Sequence, residues 1–289
     1  TIMYRSVKKI IAAQKVNMGG HILDQPLPVN GVDQIDPFLL IHHWKRDMKG
    51  GDQQKHVGVG PHPHRGFSPV TFVFEGAVEH RDSLGNRATV TKGGTQWMHA
   101  GKGITHSERP SKTIAEEGGL QEFIQFWVNT PAAHKMETPY YLPISCKDTP
   151  KVHKGAVEIG VVAGSFENKN GPAKTYSNQT LLRGETHAND NITITIPKDY
   201  NMLIYILNGS IKTNGTEVKT KDLIWYNNDS DMVNLQLIEG TRFIVLSGQP
   251  INESLSSYGP FVMNSQTEIL EALKDAQMGK MGVLIEDFD

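Results

Sequence analysis

The two halves of this sequence repeat one pattern of short strands and turns. In the first half, residues 71–76 form an apolar run that ends in glycine and leads through a hairpin to Trp97. In the second half, residues 205–209 lead in the same way to Trp225. The spacing from glycine to tryptophan is 21 residues in the first half and 16 in the second, where the turn at Asn214-Gly215 is shorter. Such internal similarity predicts two β-barrel-like halves of related topology.

The strands that the sequence predicts are short and closely spaced. Residues 69–75, 87–91 and 119–129 are rich in β-branched and aromatic side chains and are bounded by glycine-containing turns. Strands of this kind are typical of a sandwich or barrel. One helix is expected near residues 265–276, where Ser265 and Glu268 form a capping box and Ile269, Leu270 and Leu273 share one face. The expected fold is therefore all-β with a short C-terminal helix.

Composition excludes several classes of function. The formal charge of −2 argues against direct binding to nucleic acid. The apolar runs are far shorter than the roughly 20 residues that a membrane span needs, so no membrane partner is expected. A single cysteine, Cys146, excludes a disulfide framework. Because the first ten residues do not resemble a signal peptide, a cytoplasmic location is expected.

The histidines point to chemistry in the first half of the chain. Of the 12 histidines, 11 lie between His21 and His153, and none follows His187. His62 and His64 are two residues apart, so on a strand their side chains point to the same face. His106 and Glu108 repeat that spacing after an intervening hairpin. Histidines with one carboxylate are typical of mononuclear non-haem ferrous sites. The alternative is an inner polar cluster without metal.

The residues around these pairs resemble the pirin family of the cupin superfamily. The similarity extends over nearly the whole chain, and the block His-Pro-His-Arg-Gly-Phe is its most specific part. The matching segments are residues 36–40, 60–67, 71–76, 80–83, 96–97, 100–108, 125–129 and 258–264.

The resemblance implies two cupin barrels in tandem, a bicupin. Residues 1–135 would form the N-terminal, metal-binding barrel, and residues 136–289 a C-terminal barrel that lacks metal ligands. The metal ligands implied are His62, His64, His106 and Glu108. The implied cofactor is one divalent metal ion, usually Fe(II), with nickel, copper, manganese or zinc as alternatives.

The resemblance also implies an activity, quercetin 2,3-dioxygenase, in which dioxygen opens the central ring of a flavonol and carbon monoxide is released. The partners are then a small aromatic substrate and dioxygen. Glu108 is the candidate catalytic base, because a ligand carboxylate lies within reach of a metal-bound hydroxyl. One alternative is an iron-containing, redox-sensing protein that regulates a transcription factor or a metabolic enzyme through a protein partner. A third is a metal-free bicupin that binds a sugar or another small molecule.

Other polar residues are expected to have structural roles. His80 and Asp82 lie near a hairpin turn, where we expect them to face solvent or cap the turn. His99 is expected at the pocket mouth or in a loop. Ser68 stands where pirins often carry a carboxylate, and His42-His43 are expected at a strand end or rim. In the second half, counting back from Gly209 places Thr195 and Pro197 at the positions of His62 and His64.

Overall fold

The computed structural model describes residues 3–288 of the chain, which form two compact units. Each unit is built from two segments of the sequence. The C-terminal barrel combines the chain up to His42 with Asp148–Ile251, and the N-terminal barrel combines His43–Lys147 with the chain from Asn252 onward. Strand-rich barrels of this kind agree with the expected all-β fold.

The strands are numbered in chain order. The first twelve are β1 Val7–Ala12, β2 Gln14–Met18, β3 His21–Leu27, β4 Phe38–Met48, β5 Val59–His64, β6 Phe67–Glu75, β7 Ala77–Asp82, β8 Arg87–Thr91, β9 Thr95–His99, β10 Ile104–Pro110, β11 Gly119–Asn129 and β12 Tyr140–Ile144. The next seven are β13 Lys151–Lys154, β14 Val157–Ala163, β15 Ser165–Phe166, β16 Lys169–Asn170, β17 Gln179–Thr186, β18 Asp190–Thr195 and β19 Asn201–Asn208. The last seven are β20 Ser210–Thr213, β21 Thr216–Lys219, β22 Asp222–Tyr226, β23 Met232–Leu237, β24 Arg242–Gly248, β25 Ser256–Tyr258 and β26 Phe261–Met263.

Helical structure is sparse in the described residues. The α-helices are α1, Lys112–Glu117, and α2, Gln266–Gln277, and single turns of 3-10 helix cover Gln54–His56 and Ala132–His134. None of the helices in residues 3–288 has both the length and the apolar character that a membrane crossing requires.

The N-terminal barrel is made of two antiparallel sheets. One contains β12, β9, β6, β11 and β4 in that order, and the other contains β5, β10, β7 and β8. Side chains of the two sheets meet inside the barrel, where Glu108 on β10 accepts hydrogen bonds from Gln96 on β9 and Gln125 on β11. The interior of this barrel is therefore partly polar, and the chemistry-bearing residues lie there.

The C-terminal barrel has the same two-sheet plan with an apolar interior. One sheet has the order β1-β22-β19-β24-β17-β14-β13, and the other has the order β18-β23-β20-β21. The core between them consists of branched aliphatic side chains with a few aromatic ones, including the fully buried Tyr226 and Phe243. The similar sheet plans agree with the sequence repeat.

The expected division placed the boundary between residues 135 and 136, but the segments at the two ends of the chain do not follow it. At the start of the chain, β1 pairs with β22 and so completes a sheet of the C-terminal barrel. At the end, the chain from Asn252 belongs to the N-terminal barrel, where Phe261 forms a parallel bridge with Arg65. Both differences arise because the terminal segments pair with strands that are distant in the sequence. A division of the chain into two consecutive domains does not allow for such pairing.

Helix α2 confirms the predicted cap and corrects part of the predicted face. The Ser265 hydroxyl accepts a hydrogen bond from the Glu268 backbone N–H at 3.2 Å and donates one to the Glu268 carboxylate at 2.9 Å. Ile269 is buried, as expected, and packs in a cluster with Ala272. Leu270 was expected on the same face, but its side chain is 65% exposed. The buried face is thus centred on Ile269 and Ala272, three residues apart.

Candidate metal centre

Neighbouring strands bring the two predicted residue pairs together. Strands β5 and β10 are antiparallel neighbours, and His62 lies directly opposite His106 in their register. His64 follows His62 by two residues on the same face of β5. The register shifts between His106 and Glu108, where the pairing of β10 with β5 is irregular. The two-residue spacing that identified these residues in the sequence therefore also places their side chains on one face, inside the same barrel.

Three imidazoles form a compact group. The candidate ligand nitrogens of His62, His64 and His106 all lie within 4.8 Å of one another. The ring centroids are 4.4 Å apart for His62 and His106 and 5.1 Å apart for His64 and His106. His64 and His106 are buried, and His62 is half-buried. Imidazole nitrogens at this separation suit a single divalent metal ion.

Backbone carbonyls fix the proton positions of His62 and His64. Nδ1 of His62 lies 2.7 Å from the carbonyl oxygen of Gly60, and Nδ1 of His64 lies 3.2 Å from that of Pro260. A carbonyl oxygen only accepts hydrogen bonds, so each Nδ1 carries the proton and donates it. In a neutral imidazole this leaves Nε2 with a free lone pair, the form that binds a metal ion.

A chain of hydrogen bonds sets the same tautomer in His106. The carboxylate of Asp82 accepts the Nε2 proton of His80 at 2.7 Å, so a neutral His80 has an accepting Nδ1. That Nδ1 lies 3.2 Å from Nδ1 of His106, which therefore donates. This assignment follows from the hydrogen-bond network. We name the chain Asp82–His80–His106 the Asp82 relay.

Burial keeps the buried imidazoles neutral. Desolvation, with a smaller contribution from the nearby His62, lowers the pKa of His64 to about 3, although the bond to Pro260 opposes the shift. Desolvation also lowers the pKa of His106 well below its usual value, with His62, His64 and His80 adding to the effect. Burial alone would raise the pKa of Asp82, but the hydrogen bonds from His80 and Asn86 lower it overall.

An unsatisfied nitrogen shows that the group fits a metal ion. Nε2 of His106 is buried and has no hydrogen-bond partner among the described residues. A buried acceptor without a partner costs free energy, so native structures rarely leave one. A cation held among the three Nε2 atoms would satisfy it. The donor set of three imidazoles suits ferrous iron, nickel, copper and zinc alike.

Glu108 lies beside the imidazoles and is held by two amides. Its Oε1 accepts hydrogen bonds from Gln96 at 2.6 Å and Gln125 at 2.9 Å, and its Oε2 accepts one from Gln125 at 3.1 Å. Oε2 lies 3.9 Å from Nε2 of His106. Thr71 stands between the two glutamines in the strand register, and its hydroxyl accepts from both. Oε2 is thus the less saturated oxygen, and it is the one near the histidines.

Aromatic side chains form the walls of the site. The ring of Tyr141 stacks on His80 with centroids 3.7 Å apart, and its hydroxyl donates to Gln96 at 3.2 Å. On the other side, Trp127 packs on Phe67 at 4.3 Å and lies 5.7 Å from His64. Trp127 and Tyr141 are both half-buried. Flat aromatic walls of this kind suit a flat aromatic ligand.

Several residues outside the predicted ligand set lie elsewhere than expected. His80 and Asp82 were expected to face solvent or cap a turn, and Asp82 does cap the turn by accepting the Leu84 backbone N–H. Neither side chain faces solvent, since they are 0% and 3% exposed, and His80 lies within hydrogen-bond distance of His106. His99 is fully buried at the end of β9 rather than at a pocket mouth, and its Nδ1 lies 3.4 Å from the Ser68 hydroxyl.

The pair His42-His43 lies within β4 rather than at its end. His43 is buried, and its Nε2 lies 2.8 Å from the carboxylate of Glu122 on β11. Gln96, Gln125 and Thr71 lie in segments that match the pirin family, but no role in the site was predicted for them from the sequence. The available signal was their polar character at inward positions of otherwise apolar strands, where a buried polar side chain needs a partner.

The C-terminal barrel carries apolar side chains at the corresponding places. Strand β18 pairs with β23 as β5 pairs with β10, and the register sets Ile192 opposite Leu235 and Ile194 opposite Val233. All four side chains are buried in the core. Counting back from Gly209 had selected Thr195 and Pro197, which are both exposed. The count therefore selected positions on the outer face, and a slip of one residue on a strand is enough to exchange its two faces.

Comparison with known families agrees with this architecture. The family model described as Pirin matches residues 21–128, and the model described as Pirin C-terminal cupin domain matches residues 181–282. A Pseudomonas aeruginosa protein whose provisional name is quercetin 2,3-dioxygenase is 35% identical over 85% of this chain and 86% of its own length. A pirin-like protein of Solanum lycopersicum is 32% identical over 96% of this chain and 92% of its own.

Solved structures show the same fold. A crystal structure of quercetin 2,3-dioxygenase from Acinetobacter baumannii has 33% sequence identity and a TM-score of 0.91, covering 98% of this chain and all of that chain. The Escherichia coli pirin YhhW, crystallised in complex with nickel(II), shares the fold at 20% identity and a TM-score of 0.66, over 84% of this chain and 99% of its own. The two matching family models and relatives above 30% identity over most of the chain establish that this protein is a bicupin of the pirin family.

Proposed function

We propose that this protein is a metal-dependent dioxygenase with quercetin 2,3-dioxygenase-type activity on flavonol-like aromatic substrates. The observation that carries the proposal is the group of three imidazoles whose candidate ligand nitrogens lie within 4.8 Å of one another, beside the carboxylate of Glu108. His62, His64 and His106 would hold one divalent metal ion, with Glu108 as a fourth ligand or as a base. The names of the Pseudomonas and Acinetobacter relatives support the same reaction class.

The protein's own residues have distinct tasks in this reaction. The half-buried walls of Trp127 and Tyr141 bind the substrate rings and exclude water from one side. Glu108 takes the proton of the flavonol hydroxyl on Oε2, which accepts a single hydrogen bond. Gln96 and Gln125 keep that carboxylate oriented throughout. When bound, a divalent ion such as Fe(II) supplies the Lewis acidity that favours the ionised hydroxyl and the redox chemistry that dioxygen requires.

The proposal is tested by oxygen consumption. Protein reconstituted anaerobically with Fe(II), and in parallel with nickel, is mixed with a flavonol in aerated buffer, and dioxygen uptake and carbon monoxide release are measured. We expect both gases to change in equal amounts, because one dioxygen is consumed for each carbon monoxide released. Metal-loaded protein that consumes no dioxygen with any flavonol tested would contradict the proposal.

A matched variant separates the roles of Glu108. Glu108→Gln keeps the size of the side chain but removes the base, so we expect slow turnover with much of the metal retained on the three histidines. The control is Glu271→Gln, the same chemical change at an exposed position of α2, which should leave turnover unchanged. If Glu108→Gln turns over like the wild type, Glu108 is not the base. A protein that binds metal yet never consumes dioxygen would favour the redox-sensing interaction protein instead.

A further inference from the structure

Strand β10 has a second face, opposite to the one that carries His106 and Glu108. Because successive side chains on a strand alternate between faces, Thr105, Ser107 and Arg109 point away from the imidazoles. All three are hydrogen-bonded to residues near the end of the chain, although those residues follow β10 by more than 170 positions. We call residues 281–288 the C-terminal strap.

The strap is attached to β10 at both ends. At its start, the Thr105 hydroxyl lies 3.1 Å from the carbonyl oxygens of both Met281 and Gly282. Met281 itself is buried in a cluster with Phe261 and Ile269. Further on, Glu286 accepts hydrogen bonds from the Ser107 hydroxyl at 2.7 Å and from Arg109. The strap therefore follows the outer face of the strand that carries two of the proposed metal ligands.

The ion pair of Arg109 and Glu286 is the strongest of these contacts. Nε and NH2 of Arg109 donate to separate oxygens of Glu286 at 2.8 and 2.7 Å, a bidentate arrangement. The side chains are only 10% and 6% exposed, so water screens the pair weakly. Burial alone would raise the pKa of Glu286, but the bonds from Arg109 and Ser107 lower it overall.

Arg109 also reaches the segment that leads into β5. Its NH1 donates to the carbonyl oxygens of Lys55 at 3.0 Å and Val57 at 2.8 Å. Val57 is two residues before β5 begins, and β5 carries His62 and His64. One guanidinium therefore links the strap, the strand of His106 and the approach to the strand of the other two imidazoles. Removing Glu286 would leave a buried guanidinium without its carboxylate.

We propose that Glu286 is a positioning residue for the metal site, which acts through Arg109 on β10 and on the approach to β5. Docking of the strap and binding of a metal ion then favour the same arrangement of the two strands. Thermodynamic linkage makes the effect reciprocal, so a docked strap strengthens metal binding and a bound metal ion holds the strap in place. The inference rests on the metal site of the proposed function and does not depend on the reaction.

The first test measures metal affinity in Glu286→Gln. Competition with a chromophoric chelator for nickel gives the dissociation constant, and we expect it to rise about fivefold, near the lower end of typical couplings between sites. The control is again Glu271→Gln, which changes an exposed acid to an amide in the same barrel. Ser107→Ala, which removes one bond to Glu286 and keeps the ion pair, should give a smaller increase. Equal affinities in Glu286→Gln and the control would overturn the proposal.

The second test uses the unaltered protein, so it does not depend on how a variant folds. Hydrogen exchange of the backbone amides in residues 283–288 is followed by mass spectrometry with and without nickel. We expect slower exchange in the strap when nickel is present. Strap amides that exchange at the same rate in both states would overturn the proposal, whether or not the protein consumes dioxygen. Loss of flavonol turnover with metal-dependent protection of the strap intact would instead refute only the proposed reaction.

Discussion

The substitution Asp82→Asn tests the Asp82 relay, because it only replaces one carboxylate oxygen with an NH2 group. The Oδ1 atom of Asp82 accepts the backbone N–H groups of Leu84 at 2.9 Å and Asn86 at 3.1 Å. In the variant, the amide oxygen has to stay at the position of Oδ1 in order to accept these two N–H groups. The NH2 group then takes the position of Oδ2 and faces Nε2 of His80. His80 then accepts on Nε2 and carries its proton on Nδ1. His106 is left with its proton on Nε2, the atom that faces the other imidazoles.

The expected loss of metal affinity follows from the hydrogen bond that must be broken before His106 can bind a metal ion. In the variant, His106 can present a lone pair only if a buried donor or acceptor of the now neutral relay loses its partner, which costs about 1–3 kcal/mol. Since 1.4 kcal/mol corresponds to a factor of about ten, we expect the metal dissociation constant to rise about 10- to 100-fold. That range matches the usual cost of removing an outer partner of a metal-bound histidine.

The assay is chelator competition for nickel at pH 7.5, with thermal unfolding measured on the same preparations. Asn86→Ala is the matched control, because Asn86 donates to Asp82 at 2.9 Å but does not contact His80. It should weaken the turn but raise the metal dissociation constant far less than Asp82→Asn does, because the bond between Asp82 and His80 is kept. Folded Asp82→Asn protein that binds nickel as tightly as the wild type would refute the assignment of the relay.

Three further predictions concern stability. Burial lowers the pKa of His99 to about 4, so between pH 6.5 and 4 the unfolded chain binds a proton that the folded chain does not, and the free energy of unfolding falls as the pH falls. His99→Gln should reduce this loss between pH 7.5 and 5.5 by about 1.4 kcal/mol, measured in urea titrations of the metal-free protein. An unchanged loss in the variant would contradict this prediction. Phe243→Ala should destabilise the C-terminal barrel by about 3–5 kcal/mol in the same titrations, because its ring is fully buried; a cost below about 1 kcal/mol would mean that the core relaxes around it. Ser265→Ala should cost about 1 kcal/mol, since the Glu268 backbone N–H loses its cap, and Ser265→Asp should cost less.

Local patterns in the sequence predicted much of the fold and the centre of the candidate site. Period-2 spacing on strands identified His62, His64 and His106, because alternation along a strand is a local property. The predicted strand at residues 119–129 coincides with β11, and Ser265 caps the predicted helix. The same spacing occurs in His80 and Asp82, yet their place beside a turn favoured a solvent-facing role.

What the sequence could not predict depends on pairing between distant strands. His80 joins the site because β7 pairs with β10, which sets His80 opposite Glu108. The strap is attached to β10 by Arg109 and Glu286, which are far apart in the sequence and carry no mutual pattern. In the C-terminal barrel, a count of residues could not determine the register, so Thr195 was chosen in place of the buried Ile194.

The metal content of ligand variants shows whether the three imidazoles hold one metal ion. Wild-type protein and three single variants are loaded anaerobically with Fe(II), desalted and analysed for metal. We expect about one equivalent in the wild type and in His187→Ala, whose imidazole is 69% exposed. His62→Ala and His106→Ala should retain less than about a tenth of that amount, since each removes a ligand of the group. Full metal content in these two folded variants would mean that His62 and His106 do not hold the ion.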